Sequence, residues 1–473
     1  MTDCCGSNGA GVDLIVVGAG SAGFSAAITA AERGARVALI GHGTIGGTCV
    51  NVGCVPSKTL IRAAETLHQG RVAGRFAGLS GSSRLDDWTE LVAQKNDLVT
   101  SLRQAKYADL LKAYEAVSYV EGAARLTATG VVVEGRQIEA DRTIVATGAR
   151  AHTPSIPGLD SVDWLDSTRA LDLSRLPSSL LVIGAGYIGC ELAQLFQRAG
   201  VRVTLACRSR LLPQGEPEIS TALAGYLRDE GMTVLDGVSY REVSALDAGV
   251  RLHYEQDGRS GSVTADRLLL ATGRRPNSDG LGLSERGVNL DKDGAICIDE
   301  RMRTTAAGVY AAGDVTGRDQ FVYMAAYGAR IAAENALNGN ALVYDNRAMP
   351  SVTFTDPQVA TVGLTEAEAL ARGIEAKISM LPLSAVPRAL AARDTRGLIK
   401  LVADRHSDQL LGAHILAPEG ADSIQTAALA IQQGLTTRAL AGMIFPYLTT
   451  VEGLKLAAQT FDKDVAMLSC CAG

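Results

Sequence analysis

The chain has 473 residues, 47% of them apolar and 20% charged, with 51 acidic against 45 basic side chains and a formal net charge of −6. That length suggests roughly three domains of about 150 residues, and the composition excludes a disordered chain or a fibre. The acidic balance argues against nucleic acid as a partner, and no unbroken apolar run of about 18 residues offers a membrane span.

Residues 1–11 lack the charged start and apolar core of a signal peptide. There are nine cysteines: Cys4, Cys5, Cys49, Cys54, Cys190, Cys207, Cys297, Cys470 and Cys471. The number is odd, and a chain this large needs no disulfide staples. A reducing cytoplasm is the expected location, where paired cysteines point to redox or metal chemistry.

In chain order, Asp13 to Val17 is an apolar run suited to a buried parallel strand. It enters Gly18-Ala19-Gly20-Ser21-Ala22-Gly23, followed by an Ala-rich helix to Arg33 and a second strand from Arg36 to Ile40. The glycines let backbone N–H groups approach a pyrophosphate at the helix start. This strand ends Leu39-Ile40-Gly41-His42, where a ribose-binding carboxylate is expected and missing.

Next comes Gly46-Gly47-Thr48-Cys49, then Cys54-Val55-Pro56-Ser57-Lys58. Four residues separate the cysteines, a spacing that suits a disulfide opening and closing across one helical turn. A helix starting near Cys54 would favour its thiolate through the positive end of the dipole.

The strand-and-glycine pattern recurs. Ser179 to Ile183 reads as a strand, Gly184, Gly186 and Gly189 as its turn, Cys190 to Ala199 as helix and Val201 to Ala206 as the next strand. After it stand Cys207-Arg208-Ser209-Arg210, with two guanidiniums and no carboxylate. Arginine suits a 2′-phosphate, so NADPH is expected over NADH. Two echoing segments, Thr143 to Gly148 and Leu268 to Gly273, each end an apolar strand at a small-residue turn and mark crossovers between domains. From about Met349, short strands such as Leu398 to Val402 alternate with Ala-rich helices such as Ser423 to Gln433. No third glycine fingerprint appears there, so this is a different kind of domain. Cys190, Cys207 and Cys297 are expected to be inert strand or helix residues.

The cysteine segment resembles the active-site disulfide of the flavin-dependent pyridine nucleotide–disulfide oxidoreductases. The likeness extends to both fingerprints, Ala146-Thr147-Gly148, Ala271-Thr272-Gly273 and Ala312-Gly313-Asp314. It implies an α/β fold with two Rossmann-like dinucleotide-binding domains plus a C-terminal α+β dimerisation domain. The expected divisions are 1–150 and 273–348 for FAD, 151–272 for NADPH and 349–473 for dimerisation. Gly18, Gly20, Gly23, Thr48, Thr147, Gly148 and Asp314 would hold FAD, with Asp314 at the ribityl chain. Gly184, Gly186, Gly189, Arg208, Arg210 and Gly273 would serve NADPH. Cys54 would face the flavin and Cys49 exchange with substrate. Lys58 would sit near the flavin N5, paired with Glu191, since a cation there favours reduced flavin.

Disulfide-reducing members of the family carry a His-Pro motif followed by Glu, because a leaving thiolate must be protonated. Here the corresponding segment is Ile444-Phe445-Pro446-Tyr447-Leu448-Thr449, and none of the six histidines lies in it. The chain closes on Cys470-Cys471-Ala472-Gly473. Two soft thiolates on a tail suit a soft, two-coordinate metal ion. Together these features resemble the mercuric-reductase branch of the family. That resemblance implies a homodimer with the active site shared between subunits. In it Cys470 and Cys471 capture Hg(II) from thiol complexes and pass it to Cys49 and Cys54, with Tyr107 and Tyr447 along the metal path. The N-terminal metal-binding domain of many such proteins is expected to be absent, since the first strand begins at Asp13, and Cys4 and Cys5 have no assigned role. The competing readings are a reductase of an unusual low-molecular-weight disulfide, and a metal-sequestering protein without catalysis.

Overall fold

The computed structural model describes residues 11–468, so Cys4, Cys5, Cys470 and Cys471 lie outside the described residues. The chain divides into two compact units. The first comprises Met1–Ser57, Ala93–His152 and Arg274–Asp345, and the second Lys58–Val92, Thr153–Gly273 and Asn346–Gly473. Residues 58–92 thus group with the second unit, although the sequence carries them inside its first nucleotide region.

The first unit is built on a parallel five-stranded sheet in the order Val309–Ala311, Thr143–Val145, Leu14–Val17, Val37–Gly41, Val117–Glu121. Its strands are short apolar runs covered on both faces, which is why they read as continuous rather than alternating. One face packs on the helices Ser21–Glu32 and Val322–Asn338, around Leu14, Val16, Ala26 and Ala329. The other face packs around Ile15, Val17, Val131 and Ile296, partly under a three-stranded antiparallel meander formed by Ala124–Thr127, Gly130–Val133 and Arg136–Glu139.

The second unit contains a parallel sheet of the same design, ordered Trp164–Leu165, Arg267–Leu270, Ser179–Ile183, Arg202–Ala206, Thr233–Leu235. The helix Tyr187–Arg198 runs from its glycine turn. The same unit holds an antiparallel five-stranded sheet ordered Pro350–Thr353, Gln358–Gly363, Leu410–Ala417, Leu398–Asp404, Ala376–Pro382. Helices Gly420–Gln432 and Glu452–Gln459 bury this sheet's core around Ile399, Leu401, Ile415 and Leu454. Among the described residues no helix is long and apolar enough to cross a membrane.

Two local expectations change. Cys49 lies within the short helix Gly47–Asn51, and Cys54 opens a separate helix, Cys54–Arg71. Val52 and Gly53 break the chain between them, so the pair does not span one continuous helical turn. Cys207 and Cys297 both lie outside every strand and helix; Cys297 is exposed, whereas Cys207 and the helical Cys190 are buried.

Candidate functional site

In the first unit the cysteine segment is pinned by backbone geometry. Gly46 (φ 97°) caps the short helix in the left-handed region. Asn51 donates from Nδ2 to the carbonyls of Ile45 (2.9 Å) and Gly47 (2.8 Å). Arg103 Nη1 in turn donates to Asn51 Oδ1 at 3.2 Å. Cys49 and Cys54 are both half-buried. Cys54 begins an 18-residue helix, so a sulfur anion there meets the favourable end of the helix dipole.

Tyr107 joins this group. The helix Trp88–Arg103 passes into a π-helical turn, Gln104–Ala108, that carries the ring. The ring stands edge-on to Phe24, with centroids 4.8 Å apart, and its hydroxyl lies 3.5 Å from Ser21 Oγ. A Cβ at Gly46 would come 3.1 Å from the ring. Burial raises the Tyr107 phenol above its usual range, its Ser21 hydrogen bond opposes that, and the two cysteine thiols add to the rise.

Gly18, Gly20 and Gly23 form the turn between the first strand and helix. Gly18 has φ 120°, and a Cβ on it would lie 2.2 Å from the Ala146 carbonyl oxygen. The Ala146-Thr147-Gly148 segment is therefore packed directly on the fingerprint. Thr147 donates its hydroxyl to the Asn277 carbonyl at 2.7 Å, which makes it a brace of this turn. Thr48 lies in the helix Gly47–Asn51. Asp314 opens a 3-10 turn after Gly313 and pairs with Arg274 Nε at 3.4 Å. Burial pushes its carboxyl up, partly offset by Arg274.

In the second unit Lys58 Nζ lies 2.6 Å from Glu191 Oε2. Glu191 is only 5% exposed, and its other oxygen accepts the Phe354 backbone N–H at 2.8 Å. The Lys58 ammonium also stands 4.9 Å from the Phe354 ring centroid, a cation–π distance. A cleft of about 630 Å³ opens beside this pair, lined by Arg62, Arg75, Gln194 and Asp394 among others. Neither Phe354 nor the Arg103–Asn51 clamp stands out in the sequence. Phe354 and Arg103 lie far along the chain from the residues they support, and neither belongs to a recognisable spacing.

The second fingerprint repeats the first. Gly184 has φ 106°, and a Cβ on it would lie 2.3 Å from the Ala271 carbonyl oxygen. Gly186 caps the helix that follows, Gly189 lies in its first turn, and Gly273 takes φ 109°. Arg210 spends Nη2 on the carbonyls of Pro213 (2.8 Å) and Gly215 (2.9 Å), whereas Arg208 is exposed beside it. Burial pushes the Cys207 thiol up to about 11 and raises Cys190 as well.

In the antiparallel layer, Phe445 packs against the core and Ile444 and Tyr447 face outward, Tyr447 being 56% exposed. The loop turns at Leu448 (φ 59°), whose N–H donates to Glu452 at 3.2 Å. Among the described residues no group of three His, Cys, Asp or Glu could hold a metal ion.

Residues 12–333 match the family profile described as pyridine nucleotide-disulphide oxidoreductase, and residues 349–458 match that family's dimerisation domain. The chain is 48% identical over 463 residues to a mercuric reductase of Bacillus cereus, covering 98% of this chain and 73% of that protein. It is 46% identical to a mercuric reductase of Streptomyces lividans, covering 98% of this chain and 99% of that one. Among solved structures, the HOCl-induced flavoprotein disulfide reductase RclA of Escherichia coli in its Cu(II) complex superposes with a TM-score of 0.84 at 30% identity, covering 96% of this chain and 100% of that one.

Proposed function

Since the chain belongs to the pyridine nucleotide-disulphide oxidoreductase family, we infer that it reduces Hg(II) to Hg(0) with NADPH, using FAD and the pair Cys49 and Cys54. The fold offers FAD a fitting cradle. A Cβ on Gly47 would lie 2.5 Å from Gly20 Cα, so only backbone faces the diphosphate turn of the first fingerprint. Gly18, Gly20, Gly23, Thr48, Gly148 and Asp314 would hold the cofactor, with Thr147 bracing its turn. When bound, FAD supplies the two-electron relay between nicotinamide and sulfur. Per turnover NADPH gives up a hydride, Hg(II) takes two electrons, and Hg(0), NADP⁺ and a proton are released.

The chain's own residues do the rest. Lys58 supplies a cation held by the buried Glu191. Arg208, with Gly184, Gly186, Gly189 and Gly273, receives NADPH, and Arg210 shapes the loop that presents Arg208. Cys49 and Cys54 bind Hg(II) as the two soft ligands it prefers. Tyr107 is half-buried against Phe24, within electrostatic reach of that pair, Tyr447 is exposed on the antiparallel layer, and both serve the metal path. Cys470 and Cys471 take Hg(II) from thiol complexes and deliver it across a cytoplasmic homodimer to the other chain's Cys49 and Cys54.

The observation that favours mercury over a disulfide substrate is the 444–449 segment. It places the half-buried Phe445 at that position and offers no imidazole to protonate a leaving thiolate, whereas metal exchange between thiolates needs none. The test is NADPH oxidation with Hg(II) in excess thiol, set against glutathione disulfide and lipoamide. Turnover with Hg(II) alone is expected. Turnover of a disulfide with none of Hg(II) would sink the reading.

A further inference from the structure

In the first sheet, the second strand ends at Gly41, where a dinucleotide fold ordinarily offers a carboxylate to the ribose. The space beside Gly41 is filled. A Cβ built there would lie 2.5 Å from the Tyr119 hydroxyl oxygen, 2.8 Å from Tyr119 Cε2 and 2.8 Å from the Ala19 Cβ. A side chain at 41 would have to displace both the tyrosine ring and the Ala19 methyl, so residue 41 and the ring at 119 compete for the same space.

The sheet explains the encounter. Tyr119 stands opposite Leu39 on the neighbouring parallel strand, which makes it the diagonal neighbour of Gly41 on the same face. Ala19, the third party to the contact, is the residue between the first two fingerprint glycines. The phenol oxygen therefore sits at the root of the missing carboxylate, beside the turn that takes the pyrophosphate. The ring is half-buried against the core, and among the described residues its hydroxyl makes no hydrogen bond. Burial and the Glu121 carboxylate hold it above the ordinary phenol range, so it stays protonated and can donate at neutral pH. In the second sheet, by contrast, Tyr240 spends its hydroxyl on the Ala206 carbonyl at 3.0 Å.

We propose that Tyr119 takes the place of the missing carboxylate, its hydroxyl at the edge of the first sheet hydrogen-bonding the adenosine ribose hydroxyls of FAD. This rests on the flavin assignment above. It makes Tyr119 a cofactor-binding residue that the glycine fingerprints do not reveal.

The test titrates flavin-stripped protein with FAD, following flavin fluorescence. It is repeated with an FAD analogue whose adenosine lacks the 2′- and 3′-hydroxyls. Tyr119→Phe is expected to weaken FAD about tenfold, the worth of one hydrogen bond, and to bind the analogue as the parent does. Gly41→Glu alone should bind worse than the parent, because its side chain meets Tyr119. Gly41→Glu combined with Tyr119→Val should bind better than Gly41→Glu alone, with the Ala19 contact still in place. Equal FAD binding by Tyr119→Phe and the parent overturns the proposal. So does equal binding of FAD and the analogue by the unaltered protein, a comparison that depends on no variant folding. If the unaltered protein binds neither, the flavin assignment itself falls and takes the proposal with it.

Discussion

The two parallel sheets are near copies in backbone and differ where a side chain must choose a ligand. Each places the strand that leads into Ala-Thr-Gly next to its first strand. Each turns at a glycine of positive φ whose missing Cβ would strike an alanine carbonyl, at 2.2 Å for Gly18 and 2.3 Å for Gly184. The second strands then diverge. The first ends at Gly41 beside Tyr119, and the second leads into Cys207 and the exposed Arg208. The first unit adds the clamped Cys49 and Cys54 segment, and the second adds the half-buried Lys58–Glu191 pair. The glycine turns are thus alike in the two sheets, while the side chains around them differ, near strand ends for Tyr119 and Arg208 and on helices for Cys49, Cys54, Lys58 and Glu191.

The largest expected effect comes from removing the chemistry that only the first unit has. Cys54→Ser should abolish Hg(II)-dependent NADPH oxidation, by about 10³-fold or more, because the thiolate is both metal ligand and redox partner. NADPH should still bleach the flavin, and stopped-flow absorbance separates the two steps. Retained mercury turnover would remove Cys54 from the mechanism.

The twin glycines give the sharpest break of the comparison. Gly18→Ala and Gly184→Ala impose the same clash in the two sheets. The first should purify with most of its flavin lost. The second should remain yellow but show KM for NADPH raised by about tenfold or more. Flavin content per chain and NADPH kinetics read the two outcomes, and equal behaviour of both variants would erase the assigned division of labour.

Lys58→Met strands the Glu191 carboxylate in a buried site. Fully buried pairs lose about 3–5 kcal/mol on such a change. Here about 2 kcal/mol is expected, since the Lys58 side chain is 35% exposed. Urea unfolding measures that loss, and flavin reduction by NADPH should slow alongside it. Glu191→Gln combined with Lys58→Met should recover much of the stability but not the rate.

The smallest effect separates two neighbouring arginines. Arg208→Ala should raise KM for NADPH about tenfold and narrow the preference over NADH, since a charge-assisted contact is worth about 1.5–3 kcal/mol. Arg210→Ala removes two carbonyl contacts within its own loop and should shift both coenzymes alike. The ratio of kcat/KM for the two coenzymes decides between them.

Much of this was legible locally. The apolar runs, the glycine turns and the Cys49–Cys54 segment signal themselves because their physics acts over a few residues: burial of a short strand, a backbone approach only glycine allows, a sulfur at a helix start. The pairing of Lys58 with Glu191 was reachable only by resemblance, since 133 positions separate the partners. The break at Val52 and Gly53 was missed, because a spacing of five residues is compatible with a helix and with two helix ends.

By itself, then, the sequence determined two glycine-turned parallel sheets, a closing region of another kind, a closely spaced cysteine pair and the lack of an imidazole in the 444–449 segment. The tertiary structure alone decided that Phe354 shares Glu191 with Lys58, that Tyr107 packs edge-on to Phe24, and that Tyr119 fills the space beside Gly41. These are contacts between residues distant in sequence, made by strand register and packing, and no local pattern carries that information.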